Sequence, residues 1–269
     1  MTHDGSARDR IDTGRAHSAR VYDYILGGKD HYPVDVEAGD AMVAEWPSMP
    51  VSMRQNRLFM NRVARYLARE AGIGQFLDIG TGLPTSPNLH EVVQEERPDA
   101  SIVYVDNDPI VLAHAQALLT SSSQGRTAYV DADMRDPGAI LESEAFREVL
   151  DLKQPVALTI IAMLQFVPPP DDYALVRRLL DQLPSGSYLA ISTVTDEFAP
   201  EEINRVMELY RGRGIPVVTR DREQVEAFFD GLEMVEPGLA QVHRWRPDPE
   251  QESVDTSQVG MYGAVARKP

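Results

Sequence analysis

Residues 76–88 read FLDIGTGLPTSPN. A short apolar run ends in an acid, Asp78, and Gly80 and Gly82 follow at the spacing D-x-G-x-G. Glycine lets a chain turn sharply after a strand, and without a Cβ it lets a ligand come close to the backbone. In open α/β sheets, ligands lie beyond the carboxyl ends of the strands, where such a turn sits. The dinucleotide fingerprint needs a third glycine, but that place holds Thr85, next to Pro84. A carboxylate two residues before the first glycine repels a pyrophosphate. Asp78 instead suits a ligand that carries an ammonium group. The plainer alternative is a strand-to-helix turn whose glycines serve sharpness alone.

Working outward, the same pattern recurs. Apolar runs at 75–80, 101–108, 127–134, 155–164 and 187–194 read as strands, and two more are expected at 232–245 and 258–267. The run PVALTIIAML (155–164) is apolar throughout, as for a strand buried on both faces. Helical segments are expected at 86–97, 109–120, 138–150, 171–183, 200–213 and 221–230, with a polar loop at 246–257. Strand alternating with helix predicts a mostly parallel sheet with right-handed crossovers, so the fold class is α/β and Rossmann-like, with seven strands. Ahead of the sheet, 19–35 starts as a helix that stops at Gly27-Gly28, and 36–46 reads as a second helix closed by Pro47 and Pro50. In 52–71, Leu58, Phe59, Val63, Tyr66 and Leu67 recur at helical spacing. The expected organisation is a polar tail at 1–18, an N-terminal helical extension at 19–51 and one domain at 52–269.

The chain has 269 residues, no cysteine and a formal net charge of −16. Lack of cysteine removes thiolate nucleophiles, Cys-rich zinc sites and redox pairs. The acidic balance argues against duplex nucleic acid as partner, because that binding rests on a basic face. Arg54, Arg57, Arg62, Arg65 and Arg69 are close in sequence and read as the solvated face of a helix. No apolar run approaches a membrane span, and residues 1–20 lack the hydrophobic stretch of a signal peptide, so the expected location is the cytoplasm. P-loop, H-E-x-x-H and G-x-S-x-G motifs are missing, and no close His/Asp cluster has metal spacing.

Two further strand ends carry acids. VYVDNDP (103–109) places Asp106 directly after the apolar stretch, where a carboxylate can accept from both hydroxyls of a ribose. Asn107 is then expected beside an adenine, and Asp108-Pro109 reads as the cap of the next helix. In DADMRDP (131–137), Asp133 suits the exocyclic amine of adenine and the Met134 N–H a ring nitrogen; a ligand-free turn cluster is the alternative.

Together these motifs resemble class I S-adenosylmethionine (SAM)-dependent methyltransferases over roughly residues 54–269. The resemblance implies that Asp78, Gly80, Thr81 and Gly82 surround the methionine part of SAM. It implies that Asp106 binds the ribose and that Asp133 and Met134 frame the adenine. AMLQFVPP (162–169) then lines the methyl and substrate side, with Gln165 where many relatives carry histidine or another polar residue. The missing third glycine departs from the family's loop. More narrowly, ARVYDYILGGKDHYPVD (19–35), NRLFMNRVARYL (56–67), FLDIGTGLPTSPNLHEV (76–92) and VYVDNDPIVLAHAQALL (103–119) are similar to an actinobacterial family named S-adenosyl methyltransferase, once a domain of unknown function. This likeness spans about 18–269. It implies SAM as cofactor and supplies no substrate.

Residues 22–32, YDYILGGKDHY, are dense in polar aromatics for a helix end. The expectation is a lid in which Tyr22, Gly28 and Tyr32 touch cofactor or substrate; a packing helix with a capped end is the alternative. Arg57 is expected at the SAM carboxylate, or in a surface salt bridge. SAM carries its own leaving group, so the protein must mainly align nucleophile, methyl and sulfur, with a base where the nucleophile holds a proton. His31, Gln165 as an orienting amide and acids near Asp196 are the catalytic candidates. The leading reading is a methyltransferase with a small-molecule acceptor. A SAM-binding protein without turnover is the alternative, and the missing glycine disfavours an NAD-dependent oxidoreductase. Truncating residues 1–35 should weaken SAM binding strongly in a titration; unchanged affinity would defeat the lid.

Overall fold

A computed structural model describes residues 12–118, 122–248 and 254–269, and not the side chains of 115–118. Three N-terminal helices, α1 (Ser18–Ile25), α2 (Pro33–Glu45) and α3 (Met49–Arg65), precede the sheet. Then strands and helices alternate: β1 (Gln75–Ile79), α4 (Leu89–Glu96), β2 (Ser101–Asp106), α5 (Pro109–Leu118), β3 (Arg126–Asp131). They continue through α6 (Pro137–Glu142), α7 (Glu144–Val149), β4 (Ala157–Ile161), α8 (Asp172–Asp181), β5 (Tyr188–Val194), α9 (Pro200–Gly212) and α10 (Arg222–Glu226). β6 (Glu233–Met234), β7 (Ala240–Gln241) and β8 (Met261–Arg267) close the fold.

The strand order is β3-β2-β1-β4-β5-β8-β6, with β7 also on β8. The first five strands are parallel, and β8 runs antiparallel to β5. The chain winds outward from β1 through β2 to β3, then crosses back to β4. A crevice therefore opens between the tips of β1 and β4, the topological switch point where open α/β sheets take ligands.

Alternation of side chains about the strands builds two cores. Leu77, Ile79, Val103, Val105, Leu158 and Ile160 face α6, α7 and α8. Phe76, Ile102, Tyr104 and Ala157 face α3 and α4. A third cluster joins α1, α2 and the start of α3 to α9 through Val21, Met42, Trp46, Met53, Ile203 and Tyr210.

The sheet has eight strands rather than the expected seven. The segment 232–245 splits into β6 and β7, which pair with different parts of β8. Pro237, which has no N–H, and Gly238, at φ +79°, separate them. Pro50 does not close a helix but lies in the first turn of α3, where the N–H it lacks has no helical partner anyway. The expected helix at 138–150 is two, because Ser143 leaves the helical conformation and caps α7 by accepting the Phe146 N–H. Of the proposed tail, residues 1–11 lie outside the described residues. The buried Arg20 donates to the carbonyls of Asp12 (3.1 Å) and Arg15 (2.7 Å), which holds 12–15 against the fold.

Arg220 and Asp172 form a fully buried ion pair at 2.5 Å. Arg220 also donates to the carbonyls of Leu164 and Val167, so it anchors the loop after β4. Replacing Arg220 by methionine strands a buried carboxylate and should cost about 3–5 kcal/mol in urea unfolding. A loss below about 1 kcal/mol would show that the pair does not hold this loop.

Candidate functional site

The bend after β1 is built by Gly80 and Gly82, at φ +74° and +67°. The Gly80 N–H donates to the Val105 carbonyl at 2.8 Å, and a Cβ on Gly80 would stand 2.7 Å from Met163 Cγ. That glycine is therefore demanded by the loop after β4. A Cβ on Gly82 would meet nothing within 4 Å. The Gly82 N–H donates to Asp106 Oδ2 at 2.8 Å, and the Asp108 N–H to Asp106 Oδ1 at 2.9 Å. One carboxylate thus ties the tips of β1 and β2 together. Two of its roughly four acceptor positions stay free, which matches the two hydroxyls of a ribose.

Asp78 is buried at the tip of β1, and its Oδ1 accepts from Thr159 Oγ1 of β4 at 2.5 Å. Burial pushes its carboxyl up to about 6, against hydrogen bonds from Thr159 and Thr81 and the positive charge of Arg57. Asp106 is also raised, again mainly by burial. A cation at these tips therefore meets two carboxylates short of positive partners. Asp108 caps α5 through the Ile110 N–H (2.9 Å). Its Oδ2 lies 2.9 Å from His17 Nδ1; burial alone would raise its carboxyl, but His17, the Ile110 N–H and Arg20 together bring it below the ordinary value.

Asp133 accepts from Arg135 N, Nε and guanidinium and from Asn107 Nδ2 (2.5–2.9 Å). The Arg135 bonds hold its carboxyl below the ordinary value. All its acceptor positions are filled, so an adenine amine has to displace the exposed Arg135. Met134 is buried beside it. Arg57 donates to the carbonyls of Thr85 (2.6 Å) and Pro87 (2.8 Å). It pins the loop at the position where the fingerprint glycine is missing.

After β4, Ala162 takes φ +53°, an uncommon conformation for a residue with a Cβ and a mark of functional loops. Gln165 is buried, and its Nε2 donates to the Ala162 carbonyl at 2.6 Å. The Ala162 N–H donates to Ser192 Oγ (3.0 Å), which donates to Asn56 Oδ1 (2.6 Å). Asn56 Nδ2 donates to Tyr22 Oη (3.3 Å), which donates to the Met53 carbonyl (3.3 Å). Asn56 and Ser192 carry no motif, and only the fold brings them together.

Apart from Thr159, Pro87 and Ser192, these groups line one cavity of about 550 Å³ that reaches from Asp106 and Asp133 to α9. Asp78, Gly80, Thr81, Gly82, Asp106, Asn107, Asp133, Met134, Arg57, Tyr22 and Gln165 all belong to its wall. Gly28, His31, Tyr32 and Asp196 do not. Gly28 packs under Asp23, whose Oδ1 would stand 1.9 Å from a Cβ there. His31 Nδ1 meets Asp23 Oδ2 at 3.1 Å, Arg20 lies over the Tyr32 ring, and Asp196 accepts from Asn204. Asp12, Arg15 and His17 stand at the wall although the sequence reading assigned them to a tail.

An open α/β sheet with this switch point and these strand-tip acids has the Rossmann-like class I methyltransferase fold. The chain belongs to the S-adenosyl methyltransferase family, whose sequence profile matches residues 4–269, and SAM is the cofactor expected for it. It is similar to a DUF574 family protein from Streptomyces avermitilis, with 59% identity, a TM-score of 0.95, and 97% of this chain and 100% of that one covered. A candidate methyltransferase from Thermobifida fusca is 36% identical with a TM-score of 0.87, covering 94% and 95% of the two chains. A carboxy-S-adenosyl-L-methionine synthase from Trichlorobacter lovleyi is 26% identical over 190 residues, 70% of this chain and 73% of that protein.

A carboxyl raised by burial makes ionised Asp78 a cost to folding above about pH 6, and no cost below the ordinary carboxylate range. A bound ammonium repays that cost only while Asp78 is ionised. Affinity for S-adenosylhomocysteine (SAH) should therefore fall as pH drops through about 6, towards tenfold per unit. Asp78→Asn should flatten this profile. A profile that keeps its slope in Asp78→Asn would contradict the pairing.

Proposed function

We propose that the protein transfers the methyl group of SAM to a small-molecule acceptor. The observation that carries this reading is one cavity whose near end is ringed by strand-tip acids and whose far end is apolar. Bound there, SAM supplies an electrophilic methyl and its own thioether leaving group. In this proposal Asp78 holds the ammonium and Asp106 the ribose hydroxyls. Met134 and Asn107 flank the adenine, and Asp133 takes its amine when Arg135 swings out. Arg57 acts on the loop carbonyls and shapes the bend rather than gripping a carboxylate directly.

Residues 19–51 serve as the lid in this reading, because α1 and α2 pack on α9 and close the far end. Tyr22 belongs to the chamber wall, whereas Gly28 and His31 shape the Asp23 turn behind it. Catalysis rests on alignment and exclusion of water rather than on a histidine base. The net charge of −16 supports a small acceptor over nucleic acid. Among the described residues no helix is long and apolar enough to cross a membrane, which is compatible with the cytoplasmic location we propose.

SAM bearing a labelled methyl group, incubated with the protein and pooled metabolites, should yield SAH together with a labelled product. Asp106→Ala should weaken SAM binding by about 10- to 100-fold, the worth of hydrogen bonds to a charged group. Tight SAM binding with no label transferred to any pool would defeat the turnover claim.

A further inference from the structure

On the reading that the near end of the cavity holds SAM, its α9 end defines the acceptor's chemistry further. The wall there includes Met49, Met53, Phe166, Met207 and Val217. Methionine side chains are flexible, and their sulfur packs well against aromatic edges, so such a wall suits an apolar, ring-sized body. Two polar groups of the same wall are uncommitted.

The first is Tyr210, in the last turn of α9. The residue is 4% exposed, yet its Oη has no hydrogen-bond partner among the described residues and is not sealed from the cavity. Its ring packs edge-on against Phe166, with 5.8 Å between centroids, which holds it in place. Burial raises this hydroxyl, so it stays protonated near neutral pH and is a donor. The Tyr22 hydroxyl differs: it donates to the Met53 carbonyl and accepts from Asn56.

The second is Arg15. A Cβ on Gly214, just past α9, would stand 3.0 Å from Arg15 Nη2, so the guanidinium lies at the end of that helix. The backbone behind it is held, because the buried Arg20 donates to the Arg15 carbonyl at 2.7 Å. Every other cation of the wall is engaged. Arg20 also lies 3.5 Å from Asp35, Arg57 holds the carbonyls of Thr85 and Pro87, Arg135 pairs with Asp133, and His17 meets Asp108. The Arg15 guanidinium has neither an ion pair nor a hydrogen bond among the described residues. Asp12, the wall acid nearest to it in sequence, accepts the Gly14 N–H instead.

Charge is thus laid out unevenly along the cavity. Asp78 and Asp106 stand at the near end, and an anion placed there would face both. At the α9 end a free cation and a free donor line the wall. Arg15 is exposed, so a charge paired with it keeps contact with water and escapes most of the cost of burial. One cation and one neutral donor match a single negative charge, whereas a phosphate dianion would keep one charge unmatched.

We infer that the methyl acceptor is an apolar, ring-sized body carrying one carboxylate, which pairs with the Arg15 guanidinium and accepts from Tyr210 Oη. The carboxylate is the handle. Repulsion from Asp78 and Asp106 turns it towards α9, and the opposite end of the body meets the methyl group.

The test uses the full chain saturated with SAH and three probes of one shape: 3-phenylpropanoate, which is anionic; 3-phenylpropanamide, which is neutral; and 3-phenylpropylamine, which is cationic. The carboxylate should bind about tenfold tighter than the amide, and the amine more weakly than either. Because Arg15 is exposed, this preference should shrink as salt is raised. In Arg15→Gln the preference should vanish while the amide binds as before. In Tyr210→Phe the carboxylate should lose about threefold in affinity. Equal affinity for carboxylate and amide, preference for the amine, or no probe binding at millimolar concentration would overturn the inference. So would a preference that survives Arg15→Gln, or carboxylate binding untouched by Tyr210→Phe. Weakened SAH binding in Arg15→Gln would overturn it too, by assigning the guanidinium to the cofactor's own carboxylate. If SAH fails to bind the unaltered chain, the cofactor reading falls and this inference with it. SAH bound normally without preference for the carboxylate sinks only the acceptor assignment.

Discussion

The site depends on one carboxylate. Asp106 accepts the N–H of Gly82 from the bend after β1 and the N–H of Asp108 from the tip of β2. A bare glycine turn has little to hold it, because glycine gains nothing from its own side chain and loses the most conformational freedom on folding. The Asp106 bonds, the Arg57 grip on Thr85 and Pro87, and the Met163 contact behind Gly80 supply that constraint from three directions. The bend is thus pre-formed, and the carboxylate that forms it keeps acceptor capacity for a ligand. Pre-organisation of this kind spares binding the cost of ordering a loop.

Around that bend the topology divides the labour. The parallel strands deliver Asp78, Asp106 and Asp133 in sequence order to one edge of the sheet. The crossover from β3 to β4 opens the crevice, and the loop after β4 brings Gln165 and Ala162 to its other side. The buried Arg220–Asp172 pair fastens that loop from below, and the Asn56–Ser192 link fastens it to α3. The N-terminal helices and α9 then complete an apolar chamber. Rigid strand tips carry the polar contacts, and added helices carry the apolar ones. This division lets such a fold keep one cofactor while its acceptor changes.

Much of this was legible from local pattern. Short apolar runs, three of them ending in acids, marked the parallel strands, and D-x-G-x-G marked the central bend, because both depend on residues near in sequence. Other features were not legible, because they rest on long-range partners. Arg57 was expected at a carboxylate or in a surface salt bridge; the carbonyls that it holds lie 28 and 30 residues away, and no spacing rule points to them. Gly28 looked exposed to a ligand, yet its missing side chain makes room for Asp23. The split of 232–245 was hinted at by Pro237-Gly238, but apolar residues on both sides of that pair let the segment read as one strand. Asn56 and Ser192 lie 136 residues apart, and no spacing rule connects them. The wall residues Asp12, Arg15 and His17 stand in a segment whose composition reads as solvated tail; the buried Arg20 that organises it is visible only in the fold.

A crystal structure of the chain with SAH tests the central claim most directly. The account places both ribose hydroxyls within hydrogen-bond distance of Asp106, the amino group at Asp78, and the sulfur facing the Gln165 side of the cavity. SAH bound elsewhere, or bound in the cavity with its ribose away from Asp106, would contradict it.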